Sequence, residues 1–191
     1  MPRVTPPERN IQLDALPDVV LCERATDGDT AAFEVLARRY VPMMRGYAVR
    51  LTGSTADADD AVQETLIHAW DHLGELRDGS VVKSWLMRIC GRRSIDIVRR
   101  RREHADADTL AEVSDSSPTP ESATISGSGL DALARSLESL PEEQRQCWVL
   151  KEMGGLSYEE IAEQLGLTSE SVRGRLARAR ARLMRDMEGW R

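Results

Sequence analysis

The chain has 191 residues, of which 41% are hydrophobic and 30% charged, and a formal net charge of −6. That length suits one ordinary domain or two small ones, and a content of one Phe, three Tyr and four Trp favours aliphatic helix packing over a β-sandwich. No apolar run of about eighteen residues occurs, and the opening MPRVTPPERNIQL lacks an apolar leader core, so neither a membrane span nor a secretory signal is expected and the protein is expected to be cytoplasmic.

Cys22, Cys90 and Cys147 are far apart, form no CxxC and have no neighbouring His to complete a metal set. They read as reduced, ordinary thiols, with a redox-sensing role for one of them as the alternative, and no metal, cofactor or catalytic residue is expected.

The net charge hides blocks of opposite sign. Asp57, Asp59, Asp60, Glu64, Asp71 and Glu75 occupy a stretch without Lys or Arg. From Arg88 to Arg102 come seven arginines against the single Asp96. Residues 104–128 then hold acidic residues, Ser, Thr, Pro and Gly, and again no Lys or Arg, which reads as a flexible acidic linker. Residues 171–191 carry seven arginines against Asp186 and Glu188. The linker divides an all-α chain into two small helical domains, 18–103 and 129–191, with 1–17 expected to be disordered.

The first predicted helix, over 30–51, carries Phe33, Leu36, Tyr40, Met43, Tyr47 and Leu51 at steps of three and four, with Thr30 able to cap it and Pro42 inside it. Gly53 ends it, and Ser54 with Asp57 resembles a capping box that opens a second helix over 57–73. Val62, Leu66, Ala69 and Leu73 form the inward stripe of that helix. Asp60, Gln63, Glu64 and Ile67 share another face, where burying two carboxylates would be costly. Spacing alone leaves open whether this face is merely solvated or docks a basic partner.

A third helix, from about 81 to 102, places Leu86, Ile89, Cys90 and Ile97 on one side and Arg88, Arg92, Arg99 and Arg102 on another. Such a stripe beside the run Arg99 to Arg102 repels itself unless an anion lies along it, and a phosphate backbone fits that requirement. Trp85, at the start of this helix, can either close the core or stack on a base.

In the last segment Pro141 suits a helix start, Gly154 and Gly155 a helix end, and Ser157 with Glu160 a capping box. Ile161, Ala162 and Leu165 turn inward, Gly166 makes a turn, and Thr168 or Ser169 caps a last helix. This is helix-turn-helix spacing. Val172, Leu176, Ala179 and Leu183 cluster on one side of the last helix, and Gly174, Ala177 and Ala181 lie opposite. Arg173 and Arg180 flank that small-residue ridge on one side, Arg175, Arg178, Arg182 and Arg185 on the other. Such a helix fits a DNA major groove, with the ridge clearing the base edges while guanidiniums reach both walls.

At DADDAVQETLIHAW, SWLMRICGRRSIDIVRRRR and LPEEQRQCWVLKEMGGLSYEEIAEQLGLTSESVRGRLARARARL, in this order and with an acidic segment between, the chain resembles a bacterial RNA polymerase sigma factor of the extracytoplasmic function (ECF) group. The resemblance runs from about residue 25 to 187. It implies a region 2-like domain that binds core RNA polymerase and opens the −10 element, and a region 4-like domain that reads the −35 element. It places Asp60, Gln63 and Glu64 on the face for the β′ clamp helices, with the β subunit as a further contact. Trp85, Arg88, Asp96 and Arg99 fall in the −10 region, to which the arginine stripe adds Arg92 and Arg102. Ser169, Glu170, Ser171, Arg173, Gly174, Arg175 and Arg178 fall on the −35 recognition helix. An anti-sigma partner is implied as well, and no direct insertion into a membrane. Arg92 stands where the family commonly has Asn, and Gly174 where it often has Ser.

The rival reading is a stand-alone helix-turn-helix regulator, which accounts for 129–191 but gives the acidic face and the stripe on the third helix no task. An enzyme acting on nucleic acid, with a metal held at Asp57, Asp59 and Asp60, is a second rival, although capping already explains acidic residues at a helix start.

Overall fold

The computed structural model describes residues 13–108 and 129–188. Every regular element among them is helical: α1 (Asp18–Thr26), α2 (Thr30–Thr52), α3 (Thr55–His72), two short 3-10 turns (Leu73–Glu75 and Gly79–Val81), α4 (Val82–Asp108), α5 (Gly129–Glu138), α6 (Glu142–Glu152), α7 (Tyr158–Leu165) and α8 (Ser169–Met187).

Local chemistry sets the boundaries. Asp29, and not Thr30, caps α2: its carboxylate accepts from the N–H groups of Ala31 and Ala32 at 3.1 and 3.2 Å and also holds Arg24 at 2.6 Å. A carboxylate suits the positive end of a helix better than a hydroxyl does. Pro42 sits inside a continuous α2, which ends at Gly53 with φ +71°. Ser54 accepts from the Asp57 N–H at 3.2 Å. Asp57 does not return the bond of a full capping box, because its carboxylate is turned to Arg101 at 2.6 Å. Pro141 is the residue before α6 and not its first turn. The box at Ser157 and Glu160 is complete, with both bonds present at 3.1 and 2.7 Å. Thr168 caps α8 through the Ser171 N–H.

Helices α1 to α4 form one bundle around Leu21, Leu36, Met44, Tyr47, Leu51, Leu86 and Cys90, all essentially buried. Helices α6 to α8 pack around Val149, Leu150, Ile161, Val172 and Leu176, and α5 closes on α8 through Leu137, Leu140, Ala179 and Leu183. The inward stripe of α3 is as expected for Val62, Ala69 and Leu73, with Leu66 half-buried. On α4, Leu86 and Cys90 are buried, whereas Ile89 and Ile97 are only half-buried and Met87, Ile95 and Val98 are buried instead. A helix covered on more than one side has a wider buried arc than a single stripe.

The two units touch. Arg145 donates from Nε to the Arg50 carbonyl at 3.0 Å, Arg88 meets Glu160 at 3.1 Å and Arg102 meets Glu142 at 3.0 Å. The apolar cores on the two sides of this contact are continuous.

Two expected boundaries move. Within 1–17, Leu13 is buried and Asp14 pairs with Arg38 at 2.9 Å, so residues 13–17 are part of the folded bundle. Helix α4 runs to Asp108, so 104–108 continue a helix where a linker was expected. Residues 1–12 and 109–128, which hold the rest of those two segments, lie outside the described residues.

Candidate protein and nucleic-acid interfaces

The acidic face of α3 is free at Asp60 and Gln63, which are exposed, while Glu64 is half-exposed and meets Arg100 of α4 at 3.3 Å. With Ile67, Ile97, Arg100 and His104 these residues line an open groove of about 420 Å³ between α3 and α4. Ile67 is 57% exposed at its edge. A large apolar side chain rimmed by charge is the pattern of a protein contact, with an anchor surrounded by polar groups that set orientation. Sequence reasoning put Ile67 on this face without giving it a role. The signal lay in its place one turn after Glu64, outside the buried stripe.

The arginines of α4 are distributed and not stacked. Arg99 bonds Asp96 at 3.0 Å, Arg100 Glu64, Arg101 Asp57, and Arg102 Glu142. The run therefore does not need an external anion to exist, which removes one part of the argument for nucleic acid. What remains is the placement of Arg88, Arg92, Arg99 and Arg102, all exposed on α4. Arg92 has no ion pair among the described residues. Trp85 is half-buried and packs against the core, which leaves part of its ring accessible beside Arg88.

On α8 the stripe Val172, Leu176, Ala179 and Leu183 is buried, as its period required, and Glu170, Ser171, Arg173 and Arg178 are exposed. Ser169 and Gly174 are half-buried. Arg173 lies over the Tyr158 ring at 5.7 Å from its centroid, an attractive placement that also orients the guanidinium. Arg178 reaches back over Gly174, where a methyl group would come within 3.4 Å of its Nη1. The structure separates Arg175 from this set. Its side chain is 20% exposed and pairs with Glu143 of α6 at 2.9 Å, so it braces the helix-turn-helix. Arg180 likewise holds Glu152 at 2.7 Å.

The thiols of Cys22, Cys90 and Cys147 are all buried, and burial pushes each up to about 11. They are protonated at neutral pH and behave as small core residues. Among the described residues no cluster of His, Cys, Asp and Glu has the make-up to hold a metal ion, and no helix is long and apolar enough to cross a membrane.

The family model for Sigma-70 region 2 matches residues 36–104, and that for Sigma-70, region 4 matches residues 130–183. The ECF RNA polymerase sigma factor SigM of Mycobacterium tuberculosis is 37% identical over 171 residues, covering 88% of this chain and 83% of its own. The ECF RNA polymerase sigma-E factor of Escherichia coli is 35% identical over 181 residues, covering 87% and 92%. The RNA polymerase sigma-H factor of Pseudomonas aeruginosa is 32% identical over 173 residues, covering 85% and 90%. Among solved structures, the fold is similar to the sigma factor RpoE of Bartonella quintana in its complex with the anti-sigma factor NepR, at TM-score 0.58 and 26% identity over 82% of this chain and 96% of that one. It is also similar to CnrH in complex with the cytosolic domain of CnrY, at TM-score 0.52 and 27% identity over 90% and 97%. The all-α fold, the helix-turn-helix with its arginine-lined last helix, and relatives matched over most of their length agree, and the chain belongs to the ECF group of RNA polymerase sigma factors, non-enzymatic factors of promoter-specific transcription initiation.

Proposed function

We propose that the initiation activity of this chain is divided between two surfaces: residues 18–103 bind core polymerase and open the −10 element, and residues 129–191 read the −35 element. The observation that carries this division is that α4, through Ile97, Arg100 and His104, forms one wall of the groove whose other wall is Asp60, Gln63, Glu64 and Ile67 of α3, and further round bears the exposed Arg88, Arg92, Arg99 and Arg102. One helix thereby couples a protein contact to a nucleic-acid contact. Asp60, Gln63 and Glu64 face the β′ clamp helices, with Ile67 as the apolar anchor. Trp85, Arg88, Arg92, Asp96, Arg99 and Arg102 serve the −10 strand. Ser169, Glu170, Ser171, Arg173, Gly174 and Arg178 serve the −35 duplex, and Arg175 positions the helix that carries them.

The protein works in the cytoplasm, where core polymerase is, and an anti-sigma partner, such as NepR is for the Bartonella quintana relative, holds it inactive. In vitro transcription with core polymerase over genomic fragments, reading start sites, tests the assignment. Discrete starts that depend on this chain are expected. Tight, specific binding of a promoter fragment by the chain alone, with no starts when core is added, would favour the stand-alone regulator instead.

A further inference from the structure

The arginines of α8 are held in different ways. Arg175 pairs with Glu143 at 2.9 Å and Arg180 with Glu152 at 2.7 Å. Arg173 is exposed and has no ion pair among the described residues, and its guanidinium carbon lies 5.7 Å from the centroid of the Tyr158 ring. That ring belongs to α7 and is itself fixed. Tyr158 is the first residue of the helix, directly after Ser157 and inside the complete capping box, and it packs against the core. Lys151 lies over the same ring at 5.0 Å, but its Nζ donates to the Leu156 carbonyl at 2.9 Å, which ties it to the turn before α7. Of the two cations on the ring, Arg173 is therefore the one free to turn outward.

A carboxylate restrains a guanidinium by accepting its N–H groups, the same groups that a base edge needs. An aromatic face attracts the cation and leaves those donors unused. We propose that Tyr158, outside the recognition helix, is a specificity-determining positioning residue for −35 reading: its ring holds the Arg173 guanidinium near one orientation, ready for two parallel bonds to a base. This rests on the assignment of Arg173 to base reading. A bidentate bond to a guanine edge needs the guanidinium plane set correctly, whereas a phosphate accepts a cation from many directions. Restraint before binding reduces the side-chain freedom lost on docking. Loss of the ring should therefore lower −35 discrimination and leave the sequence-blind grip on the duplex unchanged.

The test uses the complex of core polymerase with the full chain. It compares affinity for a promoter mapped by its start site with affinity for a copy whose −35 element is scrambled, and the ratio of the two reads discrimination. Tyr158→Leu, which keeps apolar bulk and the capping residues, is expected to lower the ratio roughly two- to fivefold, the range of one exposed cation–π contact, through the mapped promoter alone. Tyr158→Phe keeps the ring and is expected to keep the ratio. In the Arg173→Ala background Tyr158→Leu should lower the ratio no further, since the two side chains act as one unit. A native ratio in Tyr158→Leu, equal losses on both promoters, a loss in Tyr158→Phe, or additive losses in the double variant each overturn the proposal. A native ratio in Arg173→Ala overturns the base-reading assignment, and the proposal with it. One measurement needs no variant. Protons over the face of a ring resonate upfield, so the Arg173 Hε signal of the free native chain is expected upfield of its position in the urea-unfolded chain, and an unshifted signal overturns the proposal.

Discussion

Single side chains at the two interfaces differ in how free they are, and this orders the effects of changing them. Ile67 is 57% exposed, so Asp60→Arg with Ile67→Asp should leave the melting temperature nearly unchanged, within about 0.5 kcal/mol for surface positions. The same variant should weaken co-purification with core polymerase by about tenfold or more, as loss of an interface anchor does. On α8, Arg173→Ala or Arg178→Ala should cost about 1 to 3 kcal/mol of promoter affinity in the polymerase complex and relax −35 preference. Arg182→Ala and Arg185→Ala should weaken all sequences alike and lower the salt slope by about one per lost phosphate contact. Affinity measured across −35 variants and salt concentrations separates the two classes, and equal sequence-blind losses at all four positions would end the distinction. Arg175→Ala should lower the melting temperature as well as promoter binding, because its partner is Glu143 and not solvent. The three thiols, held up to about 11 by burial, should resist iodoacetamide at neutral pH in the folded chain and react once it is unfolded in denaturant.

Helices are placed here by their ends as much as by their stripes. Ser157→Ala removes the acceptor of the Glu160 N–H while the Glu160 carboxylate keeps the Ser157 backbone N–H, so a loss of about 1 kcal/mol in denaturant unfolding is expected. Asp29 does the same for α2 and adds a pH dependence. Its carboxyl is held below the ordinary carboxylate value, first by Arg24 and then by the Ala32 N–H. A carboxylate depressed in the folded state contributes stability that is fully present above the unfolded value and is lost as pH falls through the folded one. The stability difference between the native chain and Asp29→Asn should therefore be constant near neutrality and shrink in acid, in a pH series of urea midpoints. A difference that grew in acid would contradict the assignment.

Across the molecule, one continuous core with ion pairs at the seam makes the two units thermally dependent on each other. Amides of α2 and α7 should share one opening free energy at low ionic strength by hydrogen exchange, and separate at high salt as the Arg88–Glu160 and Arg102–Glu142 pairs are screened. Separate values at low salt would show that the units are independent.

The sequence by itself determined what depends on near neighbours along the chain. The period of Val172, Leu176, Ala179 and Leu183, the box at Ser157 and Glu160, and the exposure of Asp60 and Gln63 are all fixed within a few turns of helix, where backbone geometry leaves one arrangement. The tertiary structure decided what depends on which helix lies opposite. It sent Arg175 to Glu143, dispersed the Arg99 to Arg102 run among Asp96, Glu64, Asp57 and Glu142, and drew Leu13 into the bundle. A guanidinium on a long flexible stem reaches several carboxylates at similar cost, so its partner is chosen only when the packing of distant segments fixes their separation. Contact between the units likewise turns on Tyr47, Gly91 and Gly154, three positions far apart in sequence whose fit exists only once the helices that carry them have packed.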